Sequence, residues 1–565
     1  MSQHTLDDTA TGSTKAHQMA KKQREISVAE FFAKNRHLLG FDNPKKALLT
    51  TIKEAVDNSL DACEEARILP EISVEVIEMG ADRFRVIVED NGPGVVNKQV
   101  PKIFAKLLYG SKFHRLKMSR GQQGIGISAS VMYGQMTTGK PARITTRIGA
   151  KYPGYYCELT INTKENKPEI VKEQDVDWHK EHGTRVEIDL EASYQKGSQS
   201  IDAYLKQTAI VNPHCTIIYT NPKAEQIIFP RATDTLPAEP KEIKPHPKGV
   251  ELGILMKMMT DTEAKTMQNF LCNDFSRVGS GSAKEILQKA AILPNFNPNN
   301  TSREQAERII KAIQDTKLMN PPTDCVTPIG AEQFEKGMKK EIRAEFYAVT
   351  TRPPAVYRGN PFIIEAGIAY GGEQASDKTS RVLRYANRVP LQYQQSACAI
   401  TQSIIQTNFR SYGMSQSKGA LPIGPCTIAV HLGSVWVPFT SESKEAIAQY
   451  PEIMKEIKLA IQECGRKLAS YVLKKQRFKN EMKKRGHIDK YIPHIGAVLT
   501  EMLKLSPGQK EDIEILLHTL LEDKRGRLTS IEAENDEYDE EMANIGTDAE
   551  EELQHDEYNE GDDNE

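Results

Sequence analysis

Residues 54–61 read Glu54-Ala55-Val56-Asp57-Asn58-Ser59-Leu60-Asp61. The spacing predicts a helix over roughly 45–67 on which Glu54, Asp57, Asn58 and Asp61 share an arc of about 100°. Leu48, Leu49, Ile52, Ala55, Val56, Leu60 and Cys63 fall on the opposite side. A carboxylate and a carboxamide four positions apart on a packed helix can hold a water and a divalent cation together. Most polar helix faces are simply solvated. Two details oppose that here: the stripe itself contains no Lys or Arg, and it lacks the Glu-to-Lys pairs that support exposed helices.

Working outward, strand patterns at 72–77 and 84–89 follow, and the second runs into Asp90-Asn91-Gly92-Pro93-Gly94. A strand ending at Asp90 presents that carboxylate at the sheet edge. Gly92 and Gly94 let a flat ring approach the backbone. A carboxylate so placed can accept a hydrogen bond from an exocyclic amine such as that of adenine. A plain turn is the simpler alternative for this stretch alone. Further on, Gly121-Gln122-Gln123-Gly124-Ile125-Gly126-Ile127 precedes a helical pattern, so its backbone amides can cradle phosphates. Ser111 and Lys112 could add a hydroxyl and a cation. No Gly-x-x-x-x-Gly-Lys-Ser/Thr run occurs, which removes the Walker-type phosphate site. Gly183-Thr184 opens another strand, with a hydroxyl available to the same base.

The charge is unevenly placed. The chain has 565 residues, 74 basic and 77 acidic. Residues 530–565 hold 17 Asp or Glu and no Lys or Arg, so residues 1–529 carry 74 basic against 60 acidic groups, a net of +14. A basic body with a short acidic tail suits a protein that meets nucleic acid. The eight cysteines form no Cys-x-x-Cys pair and fit a reducing compartment. Residues 1–24 lack the apolar core of a signal peptide, and no apolar run is long enough to span a bilayer. The expectation is a cytoplasmic, soluble protein with no membrane.

The four motifs in this order resemble the Bergerat ATP-binding fold of type II topoisomerase ATPases, MutL repair proteins, a heat-shock chaperone and histidine kinases. The stretches 27–41, 54–62, 108–114 and 119–128 are similar to the B-subunit family of archaeal DNA topoisomerase VI. The likeness covers nearly the whole chain. It implies an α+β multidomain protein: a Bergerat sandwich of helices on a mixed sheet, a helix–two-turns–helix insert, and an α/β transducer domain ending in a long helix. The expected boundaries are a disordered 1–24, an ATPase domain at 25–229 with an N-terminal dimer strap, a linker at 230–248, the insert at 249–320, the transducer at 321–487, a helical extension at 488–527 and a disordered acidic tail at 528–565. The immunoglobulin-like domain that some relatives carry at the C terminus is not expected.

The resemblance also implies roles. Glu54 would be the general base and Asn58 the Mg2+ ligand. Asp90, assisted by Thr184, would select the adenine of ATP. Ser111, Lys112 and the loop Gly121, Gln122, Gln123, Gly124, Ile125, Gly126 and Ile127 would hold the triphosphate. Lys444, in Ser443-Lys444-Glu445-Ala446, would be the switch lysine reaching the γ-phosphate. Asp57 and Asp61 would only orient the stripe. The implied assembly is an A2B2 heterotetramer with the DNA-cleaving A subunit. ATP would close two copies of this chain around double-stranded DNA at the nucleoid. The alternative is a MutL-like or chaperone-like clamp. The insert and the long helix oppose it, and the short stretch before Glu54 opposes a histidine kinase.

Overall fold

The computed structural model describes residues 15–20, 22–112, 115–121, 124–197, 199–441, 443–504 and 506–525. The first domain starts with short helices α1 (Lys15–Ala20) and α2 (Val28–Lys34), then α3 (Pro44–Glu65). Helix α1 falls where the sequence suggests disorder; residues 1–14 and the acidic tail lie outside the described residues. An eight-stranded sheet follows, in the order β5-β4-β3-β6-β2-β1-β7-β8. Its strands are β1 (Glu71–Gly80), β2 (Arg83–Glu89), β3 (Ala142–Arg147), β4 (Gly154–Asn162), β5 (Lys167–Val176), β6 (Gly183–Glu191), β7 (Thr216–Thr220) and β8 (Gln226–Phe229). The β1–β7 pair is parallel; the other neighbours are antiparallel. Helices α4 (Val100–Ala105), α5 (Gly126–Thr138) and α6 (Ile201–Val211) complete the domain.

Helix α3 starts cleanly because the Asn43 side chain accepts the Lys46 N–H at 2.9 Å and Pro44 stands in the first turn. Its apolar face, Leu48, Ile52, Val56 and Leu60, is fully buried against the sheet in one core with Val74, Ile144 and Ile188. Strand β5 carries no alternating pattern and is almost wholly exposed. It is an edge strand held by its backbone ladder to β4, which apolar periodicity cannot reveal.

A helical insert with its own core follows: α7 (Leu252–Asp261), α8 (Met267–Asp274), α9 (Ser280–Ala290) and α10 (Arg303–Gln314). Gly279 is the cap of α9 rather than a break in it. The next domain packs α11 (Ala331–Glu341) on one face of a six-stranded sheet and α12 (Ala399–Gln406) with α13 (Pro451–Leu503) on the other. Its strands are β9 (Phe346–Thr351), β10 (Ala355–Tyr357), β11 (Asn360–Tyr370), β12 (Arg381–Ala386), β13 (Val389–Pro390) and β14 (Cys426–Ser434). Every residue of β14 is buried, as a central strand covered on both faces requires. Residues 435–438, strand-like in sequence, are irregular.

From sequence a helical stretch extends from about Ser443 to Arg485, with Pro451 either kinking it near its start or standing at the first position of its main part. In the structure it starts at Pro451 and runs to Leu503, with Pro493 inside it. Residues 443–450 form a loop closed by a bridge between Phe439 and Ile447. The chain then turns into α14 (Pro507–Arg525), which folds back on α13. The two large domains meet where α11 crosses α6. A Cβ at Gly337 would lie 2.1 Å from the Ile210 carbonyl oxygen, so the helices touch backbone to backbone.

Candidate active site

Helix α3, the end of β2, the start of β6, the N-terminus of α5 and the 443–450 loop converge on a cavity of about 590 Å3. It is lined by Glu54, Asn58, Asp90, Ser111, Lys112, Gly121, Gly124, Ile125, Gly126, Ile127, Thr184 and Lys444. Gln122 and Gln123 lie outside the described residues. Gly92 and Gly94 do not line the cavity. Gly94 has φ of +73°, and a Cβ there would lie 2.1 Å from the Arg147 carbonyl oxygen, so it closes the turn against β3.

The helix stripe divides into two pairs. Glu54 and Asn58 face the cavity, whereas Asp57 and Asp61 are buried behind it. Asp57 accepts the Tyr204 hydroxyl at 3.0 Å. Asp61 accepts Lys112 Nζ at 2.6 Å and an Arg120 guanidinium N–H at 2.8 Å. Lys53 and Lys46 line the same cavity. Sequence reasoning missed both, although Lys46, Lys53 and Asp57 follow each other at spacings of seven and four on the same helix. The stripe is therefore bordered by a cation.

Asp90 is buried and held rigidly. The Ser59 hydroxyl donates to Oδ2 at 2.8 Å, and the Gly92 and Thr184 N–H groups donate to Oδ1 at 2.9 and 3.0 Å. Burial pushes its pKa up against these three donors. Thr184 enters mainly through its backbone; its hydroxyl meets that of Thr146 at 3.2 Å.

Helix α5 opens at Gly126, and Ile125 before it supplies no side-chain cap. The first turn, with Gly126 and Ile127 lining the cavity, thus brings uncapped N–H groups and the positive end of the helix dipole to it. Gly126 packs directly on the stripe: a Cβ there would lie 1.6 Å from Glu54 Oε2. Lys444 sits in the loop with φ of +52° and donates from Nζ to the Arg120 carbonyl oxygen at 3.2 Å. The neighbouring Glu445 ion-pairs with Lys46 and accepts the Gln394 amide at 2.7 Å. The C-terminal domain thus closes one side of the cavity.

Asp57 gives a pH prediction. Burial first, with the nearby Glu54 and Asp61 charges adding, raises its pKa from 3.8 to about 7, against Lys53 and Arg120. At pH values between these limits the unfolded chain ionises the carboxyl while the folded chain keeps it protonated. Stability from this group is thus present below 3.8 and is lost as pH rises through about 7. Asp57→Asn, whose amide oxygen can still accept the Tyr204 hydroxyl, should be more stable than wild type at pH 8 by a larger margin than at pH 5. Thermal unfolding midpoints at the two pH values measure it; an equal margin at both would refute the burial argument.

Two family models match the chain. Residues 43–194 match the histidine kinase-, DNA gyrase B- and HSP90-like ATPase family, and residues 321–485 match the topoisomerase VI B subunit transducer family. The B subunit of type 2 DNA topoisomerase 6 from Methanococcoides burtonii is 50% identical over 490 residues, covering 86% of this chain and 79% of that one. Its namesake from Methanosarcina acetivorans is 49% identical with the same coverage. The one from Archaeoglobus fulgidus is 47% identical, covering 86% of this chain and 81% of its own.

Proposed function

The chain belongs to the family of type 2 DNA topoisomerase 6 B subunits, and from that premise we propose that it is the ATP-binding and ATP-hydrolysing subunit of a type IIB DNA topoisomerase. The observation that carries the site assignment is Glu54 packed against the uncapped N-terminus of α5 in one cavity, which the buried Asp90 also lines. ATP fits this arrangement. Asp90 takes the adenine amine, and the α5 amides with Ser111 and Lys112 take the phosphates. Glu54 accepts a proton from the attacking water, contributing roughly 100- to 10,000-fold to the rate.

Asn58 would hold a magnesium ion. Among the described residues no three His, Cys, Asp or Glu side chains gather into a metal centre. A single carboxamide fits a metal whose remaining ligands are substrate oxygens and water. Such an ion would neutralise charge on the phosphates. Lys444 brings a cation from the transducer domain to the same end of the cavity, so the presence of the γ-phosphate is felt in both domains.

Closure would pair two copies of the chain. The exposed Ile26, Val28, Phe31 and Leu38 support an N-terminal segment that crosses to the partner copy. Exposed apolar side chains along α13 and α14, including Phe478, Tyr491, Val498 and Leu516, support docking of an A subunit in an A2B2 assembly. The net +14 of residues 1–529 supports a double-stranded DNA substrate. Among the described residues no helix is long and apolar enough to cross a membrane. A cytoplasmic, nucleoid-associated location follows from the proposed substrate.

The test is ATP-dependent decatenation by the chain with and without a co-purified A subunit. Activity should require both chains and ATP. Decatenation by this chain alone would overturn the two-subunit reading.

A further inference from the structure

The segment that leads into the glycine loop is held from outside the ATPase domain at Leu116, Met118, Ser119 and Arg120. Leu116 pairs with Ile243 of the linker. The Met118 N–H donates to the Cys325 carbonyl at 2.9 Å. The Ser119 carbonyl accepts Asn387 Nδ2 at 2.9 Å, and the Arg120 carbonyl accepts Lys444 Nζ at 3.2 Å. Gly121, the next residue, already lines the cavity.

Asn387 and Arg388 are the two central residues of the turn between β12 and β13, closed by the Ala386–Val389 pair. Both have positive φ, +47° and +64°. Asn tolerates this backbone; Arg does so rarely. The turn is also costly in charge, because the Arg388 side chain is buried. What holds it there is specific. Asn387 donates from Nδ2 to the Ser119 and Ser434 carbonyls and accepts the Ser434 N–H at 2.8 Å. Arg388 donates its backbone N–H to His431 Nε2 at 3.0 Å and a guanidinium N–H to the Pro328 carbonyl at 3.0 Å. Its other terminal nitrogen lies 3.9 Å from Glu64 Oε1. Glu64, at the end of α3, grips Arg120 through two hydrogen bonds of 2.9 and 2.6 Å. His431 in turn meets the buried Glu365 at 2.9 Å in the core of the transducer sheet.

A domain interface needs only matched apolar surface. Here a strained turn and buried charge are spent on one point, the root of the phosphate loop. We infer that the Asn387-Arg388 turn is the positioning element of that loop: it fixes the Ser119 carbonyl and the Glu64–Arg120 pair to the transducer sheet. The loop root and the transducer then move as one body when the nucleotide site closes. Lys444 contacts the same loop root one residue later, as a separate reporter of the γ-phosphate. Neither turn residue lines the nucleotide cavity, so both act through the residues they hold. This rests on the nucleotide reading given above.

The test uses the full chain and two substitutions. Asn387→Gly accepts the positive φ and keeps the backbone N–H bond to Leu432 while losing the side-chain bonds. Arg388→Lys keeps a cation but loses the fork, and carries the test if the first variant fails to fold. Binding of a non-hydrolysable ATP analogue is read by calorimetry, kcat by steady-state hydrolysis, and the thermal midpoint alongside. A mispositioned loop should lower kcat about tenfold or more while analogue affinity stays within about threefold. A kcat within about twofold of wild type overturns the inference, as does a parallel fall of kcat, affinity and midpoint, which marks mere structural support. Failure of the wild-type chain to bind the analogue would instead defeat the nucleotide reading, before any variant is compared.

Discussion

Replacing Glu54 by alanine should lower ATP hydrolysis by roughly 100- to 10,000-fold while nucleotide binding persists. Glu54 is half-buried on α3, at the cavity edge, where the α5 N-terminus meets the stripe. Its carboxylate is aimed by packing rather than by a neighbouring ion pair, because Gly126 lies against it. Asp90, proposed to take the adenine, is held by Ser59 and Thr184 through hydrogen bonds that do not involve Glu54, so affinity should survive the substitution. Single-turnover hydrolysis and equilibrium binding of a non-hydrolysable analogue separate the two effects. Loss of binding together with hydrolysis would make Glu54 a ligand-holding residue and remove it as the base.

The second large effect is expected from a smaller change, Gly126→Ala. The added methyl would lie 1.6 Å from Glu54 Oε2 and 2.3 Å from Cδ. The backbone of α5 does not need glycine here, since Gly126 does not have a positive φ. Alanine is no worse a helix former than glycine at this first helical position. The fold therefore accepts the methyl and the carboxylate swings away, at a rotamer cost of about 1 kcal/mol. Displacing a base by this much should cost about 100-fold in kcat with the thermal midpoint held or raised. The double variant Glu54→Ala/Gly126→Ala should be no slower than Glu54→Ala alone, because both changes remove one function. Full activity in a stable Gly126→Ala chain would mean that Glu54 does not act from the position it has here.

Several features are legible in the residues themselves. The α3 stripe, the Asp90 turn and the glycine loop each carry a local signature, and all reach the cavity. Periodicity cannot separate Glu54 and Asn58 from Asp57 and Asp61, since all four share one arc. The partners separate them: Tyr204, Lys112 and Arg120 arrive from far along the chain and bury the second pair. Lys53 stands four residues before Asp57, beside the stripe, but only the cavity wall puts it in the site. Residues 443–450 look like the first turns of α13 in sequence. The apolar residues Ala446 and Ile447 suit a helix, but the bridge from Phe439 to Ile447 holds the segment as a loop.

The family, the layered α+β architecture and the short motifs of the nucleotide site all follow from the order of residues. They rest on local patterning, on glycine conformations and on cap residues, which act over a few positions. Which acidic residues face the cavity, where Lys444 sits, and that Asn387 and Arg388 reach the root of the loop emerge only in the folded chain. These features depend on contacts between segments hundreds of residues apart, such as Asn387 with Ser119 and Lys444 with Arg120. Such contacts are set by the packing of whole domains, for which no local pattern in the chain is a signal.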